Sequence, residues 1–190
     1  MSALIVVVAV VILLMLVLLF EMLHIPAGIE QEHHVEKGKI FSRTRAMTDA
    51  PPDEAARLLQ TDWSWWKRAR ADKMKDLGDG RKEFLFHPMR FFNFIEDPTS
   101  FLVRFERIEM LPDAGVRIHA TLNGDFDGRA EYIARPASGG TVVELAWCGA
   151  EVRNIFRFAP TALVASIHCW REKLGMEGLL ERLKSERSAR

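Results

Sequence analysis

The sequence predicts an α+β domain, a curved antiparallel sheet of about seven strands wrapped on one long C-terminal helix, preceded by a single transmembrane helix. Three observations carry this reading. Residues Ala3 to Phe20 contain no polar side chain. Between Arg81 and Val152, apolar and polar residues alternate in short runs broken at hairpin spacing by Gly, Pro and Asp, the pattern of strands joined in series. From Pro160 to Lys184, apolar residues recur at three and four, the period of a helix. Consecutive strands followed by a helix imply an antiparallel sheet with the helix laid on one face.

The N-terminal run is built from Leu, Val, Ile, Ala, Met and one Phe; Glu21 interrupts it before Met22 and Leu23, and Pro26 and Gly28 end it. A hydrocarbon core of about 30 Å needs about 20 helical residues. The flank before the run carries no Lys or Arg, and the run exceeds the ~7–15 residues of a signal-peptide core, so residues 3–23 read as an anchor rather than a cleaved leader. Lys37, Lys39, Arg43 and Arg45 follow the span. The positive-inside rule therefore places the following domain in the cytoplasm, at an inner membrane crossed once. Residues 24–36, including the polar stretch Glu30 to Glu36, read as a juxtamembrane linker, residues 37–185 as the folded domain and residues 186–190 as a polar tail.

Within the domain, Lys37 to Thr48 reads as the first strand. Pro51-Pro52-Asp53-Glu54 opens a short helix, since Pro suits a first turn and acids suit the positive end of the helix dipole; Ala55, Ala56, Leu58 and Leu59 form its buried side. Thr61-Asp62 caps a second short helix carrying Trp63, Trp65 and Trp66. Strands are expected at Arg81–His87, Met89–Ile95, Ser100–Met110, from Val116 to Asn123, at Arg129–Arg135 and at Thr141–Val152. In the strand after Ser100 the apolar phase flips at Arg107–Met110, which predicts a bulge or a strand end. Asp76 to Gly80, Gly124 to Gly128 and Pro136 to Gly140 are turns. On the long helix, Leu163, Ile167, Trp170 and Leu174 form the stripe expected to face the sheet, and Gly175 and Gly178 permit a close approach.

Three segments carry a family likeness. Asp49-Ala50-Pro51-Pro52-Asp53-Glu54, the Leu-containing helix after it and Asp62-Trp63-Ser64-Trp65-Trp66 resemble the opening of the START-like (SRPBCC) superfamily. Gly139-Gly140-Thr141-Val142-Val143 and the closing Gly178-Leu179-Leu180-Glu181-Arg182-Leu183-Lys184 are similar to that family's last hairpin and terminal helix. The likeness spans about residues 37–185 and implies the helix-grip fold, with an apolar cavity between sheet and helix that holds lipids, quinones, polyketide-like or other hydrophobic molecules. The cavity candidates are Phe84, Phe86, Phe92, Phe94, Val103, Phe105, Tyr132, Leu145, Trp147, Leu163, Ile167 and Trp170. Trp63, Trp65, Trp66, Lys67, Arg68 and Arg70 join aromatic and basic character and are candidates for contact with the membrane surface.

Composition and motifs narrow the function. Basic and acidic residues balance at 26 each, so no net field draws the chain to nucleic acid. Two cysteines, Cys148 and Cys169, exclude a disulfide scaffold and a Cys-rich zinc module, and each reads as a small buried hydrophobe. No nucleotide, metal or nucleophile-elbow motif occurs, so neither cofactor nor metal is expected. His87, Arg90, Arg104, Glu106, His119, Tyr132 and Glu144 are the polar strand residues from which acid–base chemistry would have to be drawn, with His119 expected to face solvent and Tyr132 the interior. Binding or transfer of a hydrophobic small molecule is the expectation. The alternatives are a cyclase/dehydratase-type enzyme and an assembly module with a vestigial pocket. The span predicts that the full chain sediments with membranes and resists carbonate extraction; a mature chain beginning near Ala27 in the soluble fraction would refute it.

Overall fold

The computed structural model describes residues 28–67, 69–88 and 100–189. The apolar run, the strand expected at residues 89–95 with Arg90, Phe92 and Phe94, and Arg68 lie outside them. Among the described residues no helix is long and apolar enough to cross a membrane.

Nine strands form one antiparallel sheet: β1 (Ile29–Glu36), β2 (Lys39–Thr48), β3 (Arg70–Ala71), β4 (Lys75–Gly78), β5 (Arg81–His87), β6 (Phe101–Met110), β7 (Val116–Gly124), β8 (Phe126–Ala137) and β9 (Gly140–Val152). Helix α1 (Pro52–Thr61) joins β2 to β3, and α2 (Thr161–Ser188) follows β9 through a short 3-10 turn at Asn154–Phe158. The strand order is β1-β2-β9-β8-β7-β6-β5-β3, with β4 also pairing β5.

Among the described residues the count is nine: six of the seven expected strands, the seventh lying outside them, and β1, β3 and β4, which were not expected. The stretch from Glu30 to Glu36, expected as a linker, pairs along its whole length with β2. Its charges disguise it, as they do on many edge strands, where they oppose further pairing. Arg43 and Arg45 on β2 meet Glu32 at 3.1 Å and Glu30 at 2.8 Å across the pair. At the other end of the domain α2 continues to Ser188, so most of the expected polar tail is helical.

Alternation reads true through the centre of the sheet. Phe84 and Phe86, Val103 and Phe105, Ile118 and Leu122, Tyr132 and Ala134, and Val143 and Leu145 are all buried. The phase flip in β6 is a register shift between Phe105 and Arg107. Further irregularities fall at Ile40/Phe41 and Asp127/Ala130. Such bulges increase local twist and bend a strand. A Cβ on Gly128 would lie 2.7 Å from the Ala150 Cα, so the third irregularity needs glycine there.

Two expectations for the helices are corrected. Residues 63–67 are consecutive turns, not a second helix. Asp62 accepts from Ser64 N at 2.8 Å and Ser64 Oγ at 2.9 Å, and all three indoles turn inward. One helix face cannot hold positions 63, 65 and 66 together, because adjacent residues sit about 100° apart. The second correction concerns α2. Leu163, Ile167, Trp170 and Leu174 lie about 140–180° round the helix from Glu172, and Glu172, 1% exposed, is bonded to β2. The sheet-facing side is Ala165, His168, Glu172, Met176, Leu179 and Leu183, all buried. Leu163 is 51% exposed.

The turn at Trp65–Trp66 packs directly on α2. A Cβ on Gly175 would stand 2.5 Å from the Trp66 ring, and one on Gly178 would stand 1.9 Å from the Trp65 carbonyl oxygen. Replacing Gly175 by Ala should therefore destabilise the domain by about 1–3 kcal/mol, the range for overpacking. Urea unfolding of the two proteins measures it, and an unchanged midpoint would refute the close approach.

Candidate functional site

Aromatic side chains fill the space between the sheet and the N-terminal half of α2. Trp63 is the hub. Its Nε1–H donates to Leu59 O at 2.7 Å, and its ring lies 4.8 Å from Phe84, 5.1 Å from Tyr132 and 5.4 Å from Trp66, centroid to centroid. A second group, Phe101, Phe126 and Trp147, packs edge to face, the favoured geometry for ring pairs. Asp125 ties this end together: it accepts from Ser100 N and from Asn154 Nδ2, each at 2.8 Å. The start of β6, the β7–β8 turn and the segment leading to α2 are thereby held on one carboxylate.

The two aromatic groups do not meet completely. Between them lies a cavity of about 180 Å³. Trp63, Trp66, Phe86, Phe101, Phe126, Tyr132 and Trp147 wall it on the sheet side, and Phe156, Ala159, Leu163, Val164, Ile167, His168 and Arg171 on the helix side. Leu163 is the half-exposed member and marks the solvent side. In the C-terminal half of α2, Met176, Leu179 and Leu183 are fully buried and belong to one core with Ala55, Ala56, Leu58 and Leu59 of α1.

One edge of the cavity is polar. His168 stacks on Trp147 with ring centroids 3.4 Å apart. Its Nε2 lies 3.1 Å from Glu172 Oε1 and 3.2 Å from Ser42 Oγ. Thr44 Oγ1 donates to Glu172 Oε2 at 3.0 Å, and Gln31 Nε2 donates to Thr44 Oγ1 at 2.8 Å and to Cys169 O at 2.6 Å. A buried carboxylate is tolerated only when its lone pairs are taken, and here an imidazole and a threonine hydroxyl each take one oxygen. Burial first, and then the charge of Glu172, hold the Tyr132 phenol well above its ordinary range, so Tyr132 keeps its proton at any physiological pH. Arg171 donates to Lys67 O at 3.2 Å.

The expected cavity residues divide. Phe86, Tyr132, Trp147, Leu163 and Ile167 line the space; Phe84, Val103, Phe105 and Leu145 are buried in the surrounding core. Trp170 is buried on the side of α2 away from the sheet. The expected membrane-surface group is corrected in its aromatic part, because Trp63, Trp65 and Trp66 are interior. Lys67 pairs with Glu177 at 2.9 Å and Glu181 at 2.7 Å on α2, and Arg70 lies 3.5 Å from Asp72. Of the acid–base candidates among the described residues, only Tyr132 lines the cavity. His119 lies between Glu109 at 3.1 Å and Glu131 at 3.3 Å, Arg104 pairs with Glu83, Glu144 with Arg43, His87 with Arg70, and Glu106 accepts from Thr121. His168, Glu172 and Arg171 were missed. The signal available for them was a His–Glu pair at i, i+4, placed between the apolar residues of the first turns and those of the last.

No protein-family model and no curated protein matches the chain. Solved structures do. A STAR-related lipid transfer protein fragment from Xanthomonas axonopodis superposes with a TM-score of 0.63 at 14% identity, over 84% of this chain and 95% of that one. The fold is START-like. Human StAR-related lipid transfer protein 5 gives 0.65 at 10% identity over 86% of each chain. The lipid transfer and protein localization domain of human StarD13 gives 0.57 at 9%, over 82% of this chain and 86% of that one. At these identities the likeness establishes the START-like helix-grip architecture.

Cys169 is buried behind this START-like cavity, and burial pushes its thiol up. Cys148 is half-buried and is raised for the same first reason. Alkylation needs the thiolate, so iodoacetamide at pH 8 should modify Cys148 slowly and Cys169 only after unfolding. Mass mapping of the labelled peptides measures this, and rapid labelling of Cys169 in the folded chain would contradict its burial.

Proposed function

We propose that the domain binds a hydrophobic small molecule in the cavity between the sheet and α2, and that the run Ala3–Phe20 holds it at an inner membrane from which that molecule is taken, with the domain on the cytoplasmic side. The observation that carries the reading is the cavity itself, a space left open inside an aromatic core where close packing is the rule. The three similar folds described above belong to lipid transfer proteins or a lipid transfer domain, which supports the ligand class. Leu163 lines the cavity, and Phe158, 80% exposed, immediately precedes the cavity-lining Ala159; these are the apolar residues best placed to meet a bilayer.

Size limits the ligand. Drug-sized ligands occupy pockets of about 300–1,000 Å³, whereas this cavity is about 180 Å³. It admits a ring or a short chain as it stands. A diacyl lipid requires the N-terminal half of α2 to move away from the sheet. A second reading, acid–base turnover of the bound molecule, is favoured by one observation, the His168–Glu172 pair at the cavity edge. It requires product formation from a bound ligand and loss of that product in His168→Gln.

Native mass spectrometry of the full chain, released from its own membrane, tests the binding reading. A co-purifying apolar molecule is expected. Val164→Phe should fill the cavity and lower its occupancy at least tenfold without loss of helical signal. A chain that carries nothing, or equal occupancy in the variant, would overturn the reading.

A further inference from the structure

We propose that His168 is the recognition group of the cavity and that the ligand is a compact ring compound bearing a hydroxyl, whose O–H donates to His168 Nδ1. The inference rests on the cavity-binding reading and adds the ligand's size and its polar group.

Size comes from the volume. An apolar cavity of about 150 Å³ takes up benzene, so about 180 Å³ suits one six-membered ring with small substituents. The walls, Trp63, Phe86, Phe101 and Trp147 among them, offer ring faces and edges to such a molecule.

Polarity comes from His168. Its Nε2 is engaged by Glu172 Oε1 and Ser42 Oγ. A nitrogen set against a carboxylate carries the proton, so in the neutral imidazole the other nitrogen, Nδ1, is an acceptor. His168 lines the cavity, and both of its polar partners lie on its Nε2 side. The stack on Trp147 and the bond network behind it hold the ring orientation, so the acceptor is fixed before a ligand arrives. A hydroxyl group suits this acceptor, because its O–H can donate to it. A plain hydrocarbon leaves it unanswered.

The test uses the full chain in lipid nanodiscs, with empty nanodiscs as reference, and titration calorimetry of p-cresol against 4-fluorotoluene. The two probes have nearly the same shape, and only p-cresol donates. Wild type should bind p-cresol about tenfold more tightly, the effect of one hydrogen bond at about 1.4 kcal/mol. In His168→Gln, the amide can still meet Ser42 and Glu172, and the Nδ1 acceptor is gone. The preference for p-cresol over 4-fluorotoluene, read within the variant, should fall below twofold. Equal binding of the two probes by wild type overturns the inference, needs no variant, and leaves the cavity reading standing. A preference that survives in folded His168→Gln overturns it as well. If neither probe binds, the ring-sized cavity reading fails and the inference falls with it.

Discussion

The bonded pair His168–Glu172, held by Ser42 and Thr44, sets the rotation of α2, and much of the domain follows from that rotation. The helix carries two apolar faces. One is Leu163, Ile167, Trp170 and Leu174; the other includes Ala165, Met176, Leu179 and Leu183. Hydrophobic burial alone does not choose between them. The inward hydroxyls of β2 do, since an unsatisfied buried polar group costs about 1–3 kcal/mol. Turning the first face to the sheet would leave Ser42 and Thr44, both buried, without their partners on α2.

Once α2 is set, Gly175 and Gly178 face the turn at Trp65–Trp66, and the absence of side chains there brings that turn onto the helix. Trp63 then reaches the middle of the sheet. One end of the helix shares a buried core with α1, and the other stands over two aromatic groups that do not close. The cavity is a consequence of this division. Its polar edge is the same His168 that sets the helix, so the contact that orients α2 also places a polar group at the cavity's edge.

The exterior of the sheet follows a different principle. Arg43, Arg45, Arg104 and His119 pair across strands with Glu144, Glu30, Glu83 and Glu131. Exposed pairs of this kind contribute about 0–1 kcal/mol each. They mask strand character in the sequence, as in β1, without deciding the fold. Lys67 is similar: it is bonded to α2 through Glu177 and Glu181, so its pairing is intramolecular.

The sequence by itself determined the α+β class, the antiparallel sheet of alternating strands, the bulge in β6, the first short helix and the inward placement of Tyr132 and Trp147. All of these depend on periods of two or 3.6 and on turn residues, which are local. The edge strand β1 and the fates of the three tryptophans were not legible, because charge pairing across strands and the direction of an indole depend on neighbours distant in sequence. The rotation of α2 was decided only by the tertiary structure. Its apolar pattern pointed Leu163, Ile167, Trp170 and Leu174 inward, on the rule that His and Glu face water. Ser42 and Thr44, more than 120 residues earlier in the chain, supply the bonds that make the interior the better place for His168 and Glu172.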